Sequence, residues 1–192
     1  MKSLIVGPAW VGDMVMAHSL VRLLAAGDHA GRIELVAPPA TAPVATRMAE
    51  VAAVHELDIP HGVLGPGRRR ALARSLRGAG FDRAFVLPNS WKSALLPALA
   101  RIPRRTGWRG EMRQGLLNDL RRLDRQRLPR MVERFAALAL APGVELPDPL
   151  PRPRLEQDPA AAIALRERLG LEDPSPVLAC CPGAEFGPAK QW

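Results

Sequence analysis

Short apolar runs alternate with stretches of helical spacing over the first ninety residues. Residues 4–6 are a brief apolar run that meets Gly7-Pro8, a pattern predicting a buried strand that feeds a tight loop. From 13 to 26, Val15, Leu20, Leu23 and Leu24 recur at helical spacing, with Asp13 placed to act as N-cap. Residues 33–37 predict a second strand closed by Pro38-Pro39. A short helix over 41–48, a third strand over 53–57, a basic helix over 69–76 and a fourth strand over 84–87 follow. Uniformly apolar strands separated by amphipathic helices predict an α/β fold, a parallel sheet covered on both faces.

Beyond Pro88 the pattern is less regular. Residues 93–100 and 131–140 read as helices, and 105–108 as a lead through a glycine-containing turn. Prolines then stand at 142, 147, 149, 151 and 153, where missing amide donors and restricted predecessors exclude both helix and central strand. The expected organisation is a domain over 1–141, a linker over 142–158, and the start of a second domain over 159–192. That start comprises a helix over 159–169 and a strand over 177–181 running into a glycine-containing loop. One helix and one strand cannot bury a sheet on two faces, so the rest of that domain is expected beyond Trp192.

Composition and charge narrow the class. An apolar share of 47% is ample for a core. The two cysteines, Cys180 and Cys181, are adjacent and suit neither the usual disulfide nor a metal site by themselves. The start is too short in apolar residues for a secretory signal, and no apolar stretch approaches the roughly 20 residues of a membrane span. The expected location is the cytoplasm, with any membrane contact peripheral. Residues 68–134 hold 18 Lys/Arg against 5 Asp/Glu, a net of +13 that leaves −5 for the rest of a chain of net +8. Such a field suits an anionic partner: nucleic acid, an acidic membrane face or a phosphorylated small molecule. A solvated basic surface is the alternative.

Two loops have the makings of a site. Gly7-Pro8-Ala9-Trp10-Val11-Gly12-Asp13 falls at the end of the first strand, where ligands approach an open α/β sheet, and its glycines, Gly12 included, permit close backbone approach. The glycine spacing is not that of a dinucleotide fingerprint, no acidic residue ends the second strand, and no Gly-Lys-Ser/Thr follows. Asp13 has two open readings, a carboxylate that takes a proton from a bound hydroxyl or a plain helix cap. In the second loop Gly183 and Gly187 precede Lys190, whose charge suits a diphosphate leaving group; a turn with a solvated lysine is the alternative. Lys92, Arg105, Arg109 and Arg113 follow the strand-end sequence Pro88-Asn89-Ser90 and are candidates for meeting phosphates or carboxylates, or else are solvent-facing. His18, Met14 and Met16 read as packing residues. No Asp-x-Asp pair is present to hold a divalent cation, and neither metal nor cofactor is expected.

Four blocks, Gly7 to Met16, Leu87 to Ala94, Arg105 to Arg113 and Cys181 to Lys190, together closely resemble the ADP-heptose:lipopolysaccharide heptosyltransferases of glycosyltransferase family 9, in the branch that adds the second heptose. The resemblance implies a GT-B arrangement of two Rossmann-like domains across a cleft. It implies inverting transfer of L-glycero-D-manno-heptose from ADP-heptose to the first heptose of the Kdo-lipid A-linked inner core. Asp13 falls on the family's general base, Lys190 and Gly183 on the donor side, and Gly12, Asn89, Ser90, Lys92, Arg105, Arg109 and Arg113 on the acceptor side. Ala9 replaces a frequent serine and Gln191 stands where a basic residue is expected. The 192 residues alone are expected to be inactive. Two other readings remain: transfer of a different nucleotide sugar, and a basic nucleic-acid-binding module using Arg68-Arg69-Arg70 and Arg121-Arg122. Only 4% of residues are aromatic and no base-reading motif is present, so nucleic acid is not the expected partner.

Overall fold

A computed structural model describes residues 1–27, 31–60, 62–171 and 175–180. Strands β1 (Ser3–Val6), β2 (Ile33–Ala37), β3 (Val51–Glu56), β4 (Arg83–Val86), β5 (Arg104–Trp108) and β6 (Asp119–Arg121) form one sheet in the order β3-β2-β1-β4-β5-β6. Every neighbouring pair is parallel. This is the doubly wound order of a Rossmann-like sheet. Helices α1 (Val11–Ala26), α2 (Ala42–Ala45), α3 (Pro66–Arg77), α4 (Trp91–Leu99) and α5 (Met131–Ala137) accompany it, and α6 (Pro159–Arg168) follows.

Alternation within the strands sorts two core layers. Ile5, Leu35 and Phe85 join Leu20 and Leu24 of α1 and Phe135 of α5 on one face. Their neighbours Leu4, Val36 and Ala84 meet Leu76 of α3 and Leu96 of α4 on the other. Side chains two apart share a face of a strand, so a short apolar run supplies both layers at once. Each fully buried aliphatic side chain contributes roughly 1.5–3 kcal/mol, which holds the helices against both sides.

Several elements differ from their sequence-based expectation. Trp10, not Asp13, is the N-cap of α1, and Asp13 sits in the first helical turn. Residues 104–108 form a strand instead of a turn. Its polar start hid it, but β5 is buried from Thr106 onward. A Cβ at Gly107 would lie 3.0 Å from the Val86 carbonyl oxygen and 2.9 Å from Leu117 Cδ1, so that glycine marks close packing within the sheet. Strand β6 was not anticipated, because three residues carry no readable period. The strand expected over 177–181 is absent among the described residues 177–180, which pair with no neighbour to form a ladder.

Two compact units are present, Met1–Glu156 and Gln157–Trp192. The proline-rich segment expected as a linker from 142 therefore belongs to the first unit as far as Glu156. Its backbone is pinned there: the Arg154 amide donates to His18 Nδ1 (3.1 Å), the Glu156 amide to the Arg47 carbonyl (2.8 Å), and Arg22 to the Arg152 carbonyl (2.7 Å). His18 is a packing residue of α1, 1% exposed. Because its Nδ1 accepts, Nε2 carries the hydrogen that bonds Glu50 at 2.7 Å. In the second unit, Asp158 caps α6 by accepting from the Ala161 amide at 3.1 Å, and no residue of α6 is buried.

One acidic residue sits inside the sheet. Glu34 of β2, 3% exposed, is held by Lys2 (3.0 Å), Arg32 (2.6 Å) and His55 (2.7 Å). Burial raises its pKa, and the hydrogen bonds from Arg32, His55 and Lys2 together outweigh that, bringing it down to about 2.

Candidate functional site

Successive connections run in opposite directions from β1, so its boundary with β4 is the topological switch point where the strand-end loops part. The loops after β1 and β4 flank it. Gly7 lies tight against the sheet: a Cβ there would stand 2.6 Å from Met14 Cε and 3.1 Å from the Val36 carbonyl oxygen. The chain then turns into α1, anchored by the Thr41 hydroxyl donating to the Pro8 carbonyl at 3.1 Å. No side chain caps the helix start, and the first bond of the helix ladder is Met14 amide to Trp10 carbonyl. A Cβ at Gly12 would meet nothing within 4 Å, so the backbone there faces open space. Asp13 is half-buried in this first turn, and among the described residues nothing bonds its carboxylate. A carboxylate beside uncapped helix amides is favourably placed electrostatically and free to accept a proton from a ligand.

The loop after β4 is built as a rigid wall. Ser90 caps α4, its hydroxyl accepting from the Ser93 amide at 3.3 Å. Glu111 accepts from the Trp91 amide at 3.1 Å, and its own amide donates to the Asn89 carbonyl at 3.3 Å. A Cβ at Gly110 would come 2.6 Å from that carbonyl oxygen, so the loop after β5 lies directly on the loop after β4. Arg113 joins the two from beneath. Fully buried, it donates to the Pro88 carbonyl (2.6 Å), to Asn89 Oδ1 (3.2 Å) and to the Trp108 carbonyl. Burial pushes its pKa down.

Beside this wall opens a cleft of about 490 Å³ lined by Asn89, Trp108, Arg109, Arg122, Leu123 and Arg125. The guanidinium groups of Arg109, Arg122 and Arg125 are exposed and unengaged among the described residues. Arg125 was not among the candidates from sequence, and Arg122 was one only for a nucleic-acid contact, because the short β6 that precedes them has no sequence signature. A neighbouring cavity of about 610 Å³ extends past Trp108 toward residues 141–146. There Asp119, Asp124, Glu133 and Glu145 offset Arg121, Arg122 and Arg127, so it offers an anion less. Arg121 pairs with Asp119 at 2.9 Å and donates to the Leu140 carbonyl at 2.6 Å, which removes it from the nucleic-acid contacts considered above.

The structure thus brings Gly12, Asp13, Asn89, Ser90 and Arg109 to the carboxyl edge of the sheet. Lys92 bonds the Gly62 carbonyl. Arg105, at the start of β5, lies toward the opposite edge, spending its guanidinium on the carbonyls of Leu116 (2.7 Å) and Ile102 (2.6 Å). Gly183 and Lys190 lie outside the described residues. Trp108 is core, its indole donating to the Arg134 carbonyl at 2.9 Å. Among the described residues no three His, Cys, Asp or Glu side chains converge to hold a metal ion, and no helix is long and apolar enough to cross a membrane.

Residues 69–192 match glycosyltransferase family 9 (heptosyltransferase). The whole chain is 49% identical to lipopolysaccharide heptosyltransferase 2 of Salmonella typhimurium, covering 57% of that protein. It is 47% identical to the solved structure of Escherichia coli ADP-heptose lps heptosyltransferase II, with a TM-score of 0.88 over all of this chain and 57% of that one. A family 9 glycosyl transferase of Veillonella parvula shares the fold at 16% identity, with a TM-score of 0.74 over 88% of this chain and 50% of that one. The chain spans a little over half the length of the curated relatives it matches.

Proposed function

The chain belongs to glycosyltransferase family 9, the heptosyltransferase family, and on that premise we propose that it forms the acceptor-side domain, with the beginning of the donor-side domain, of a two-domain GT-B enzyme. The reaction is inverting transfer of L-glycero-D-manno-heptose from ADP-heptose to the first heptose of the lipopolysaccharide inner core on Kdo-lipid A. The observation that carries this reading is the unengaged, half-buried carboxylate of Asp13 at the switch point, on the same carboxyl edge of the sheet as Asn89 and Arg109 of the cleft of free guanidinium groups. Close identity to a protein named as an ADP-heptose enzyme supports the donor.

In the proposed step Asp13 accepts the proton of the acceptor hydroxyl as that oxygen bonds the anomeric carbon. The bond from that carbon to the diphosphate breaks with its electron pair, and ADP leaves on the donor side, to which the family resemblance assigns Lys190 and Gly183. Charge thus develops at both ends of the reacting sugar, and fixed dipoles and cations that need not reorganise stabilise it most. Asn89 and Arg109, joined by Arg122 and Arg125, face the acidic groups of the acceptor. Ser90, Lys92 and Arg113 hold the walls, and Gly12 leaves room for the acceptor over the backbone.

The test supplies the two-domain protein with ADP-heptose and several other ADP- and UDP-sugars on a heptosylated Kdo-lipid A acceptor. Transfer from ADP-heptose is expected to exceed all others, with negligible turnover by residues 1–192 alone. Equal use of a UDP-sugar, or robust transfer by the isolated chain, overturns the reading. Exposed Arg70 and Arg74 of α3 suit contact with the anionic cytoplasmic face of the inner membrane. Binding to phosphatidylglycerol vesicles that weakens as salt rises, and drops in an Arg70→Glu/Arg74→Glu variant, is the expected outcome. Salt-independent binding argues against it.

A further inference from the structure

The loop after β5 sends a buried cation under the loop after β4, and no carboxylate hydrogen-bonds it. Arg113 is 0% exposed, and its guanidinium bonds are to the carbonyls of Pro88 and Trp108 and to the side chain of Asn89, with Nε left unpartnered. A guanidinium has donors only, so the atom of Asn89 that it meets has to be the amide oxygen. The flipped amide would set NH₂ against N–H, losing a bond and adding a repulsion against a fully buried guanidinium.

The backbone of Asn89 has no freedom to compensate. Its carbonyl accepts from the Glu111 amide at 3.3 Å, and Gly110 packs so closely on it that a Cβ would stand 2.6 Å away. Asn89 is itself exposed and lines the cleft that Arg109, Arg122 and Arg125 surround. With its oxygen turned to Arg113, the group left for the cleft is the Nδ2 amide.

We infer that Arg113 is a positioning residue that fixes the amide of Asn89 with its NH₂ toward the cleft, so that the polar side chains there offer donors alone and select an anionic group of the acceptor. That group is a carboxylate or a phosphate, which the three guanidiniums also fit. A neutral hydroxyl needs an acceptor as well as a donor to be satisfied, and these polar side chains supply none. The inference rests on the acceptor-side reading above.

The decisive variant is Asn89→Asp, which keeps the shape and the bond to Arg113 and exchanges the NH₂ for a carboxylate oxygen. In the two-domain protein its melting temperature is expected to match or exceed that of the parent. Its KM for the acidic acceptor is expected to rise by about tenfold or more, with a smaller change in kcat. The penalty is expected to shrink on an acceptor whose carboxyl groups are reduced or phosphates removed, and which of these two treatments shrinks it identifies the anion. Arg113→Met, if it folds, is expected to raise the same KM with the same dependence on acceptor charge, and Arg113→Lys to restore most of the loss.

A parallel titration with inorganic phosphate reads the cleft without catalysis. Weakening by Asn89→Asp of about tenfold or more supports the inference. If the parent protein transfers heptose but Asn89→Asp costs the same on charged and neutralised acceptors, the inference falls and the functional reading stands. If the parent transfers nothing yet its phosphate binding is weakened by Asn89→Asp, the reading falls and the donor-only cleft stands. No phosphate binding by the parent together with unchanged acceptor KM overturns the inference outright.

Discussion

Asp13→Asn is expected to lower heptose transfer by about 10²–10⁴-fold in the two-domain protein, with affinity for ADP-heptose nearly unchanged. Asparagine fills the same volume in the first turn of α1 and leaves Met14, the next residue, in the core. What it removes is the basic oxygen. The amide cannot take up the acceptor's proton, so the attacking oxygen must lose it to water, at a cost of about 3–5 kcal/mol in the barrier. The donor side of the proposed site, around Lys190, is untouched. The loss should therefore fall on kcat and kcat/KM together, the signature of an interaction made only in the transition state. Single-turnover kinetics and donor titration measure the two quantities separately. Near-normal turnover would remove Asp13 as base.

Acid is expected to strip stability from the first unit between about pH 4.5 and pH 2. Glu34 and Asp119 are the cause. Burial raises the pKa of each. Around Glu34, Arg32, His55 and Lys2 outweigh that, and around Asp119 the opposing bonds come from Arg121, Thr106 and Arg104; both groups finish at about 2. A folded-state pKa below the unfolded value means that the unfolded chain binds protons first. The stabilisation is therefore present above about pH 4.5 and drains away as pH falls toward 2. Each group accounts for roughly 2–3 kcal/mol. Thermal melts between pH 7 and pH 2 should show the decline. Glu34→Gln should lower the melting temperature at pH 7 by roughly 4–12 °C and flatten the acid limb, since the variant has no proton to bind. A melting temperature unchanged at pH 7, with the same acid limb, would show that the Glu34 cluster contributes nothing.

The two sites of greatest interest were unequally legible. Asp13 stood out in sequence as a carboxylate after a strand-end glycine loop, either a proton acceptor or a helix cap, and the cap position is taken by Trp10. The arginines gave no such signal. Arg105, Arg109 and Arg113 lie within nine residues of one another and carry the same charge, yet one grips carbonyls toward the far edge of the sheet, one is free at the cleft, and one is buried beneath it. Long flexible side chains of one type have no period that reports their destination. Strand β6 was lost for a similar reason, and with it the place of Arg122 and Arg125 at the cleft.

What the sequence determined by itself is the layering. Leu4-Ile5-Val6, Leu35-Val36 and Ala84-Phe85-Val86 are apolar on successive residues, and only a sheet buried on both faces satisfies such runs. The same reading located the strand-end loop that carries Asp13. The tertiary structure alone decided which cations are spent on the fold and which are left for a ligand. That outcome depends on which backbone carbonyls and carboxylates come within reach once β4, β5 and β6 are aligned, and those partners are far apart in the chain. Arg113 meets Pro88 and Asn89 from 25 and 24 residues away, a distance no local pattern spans.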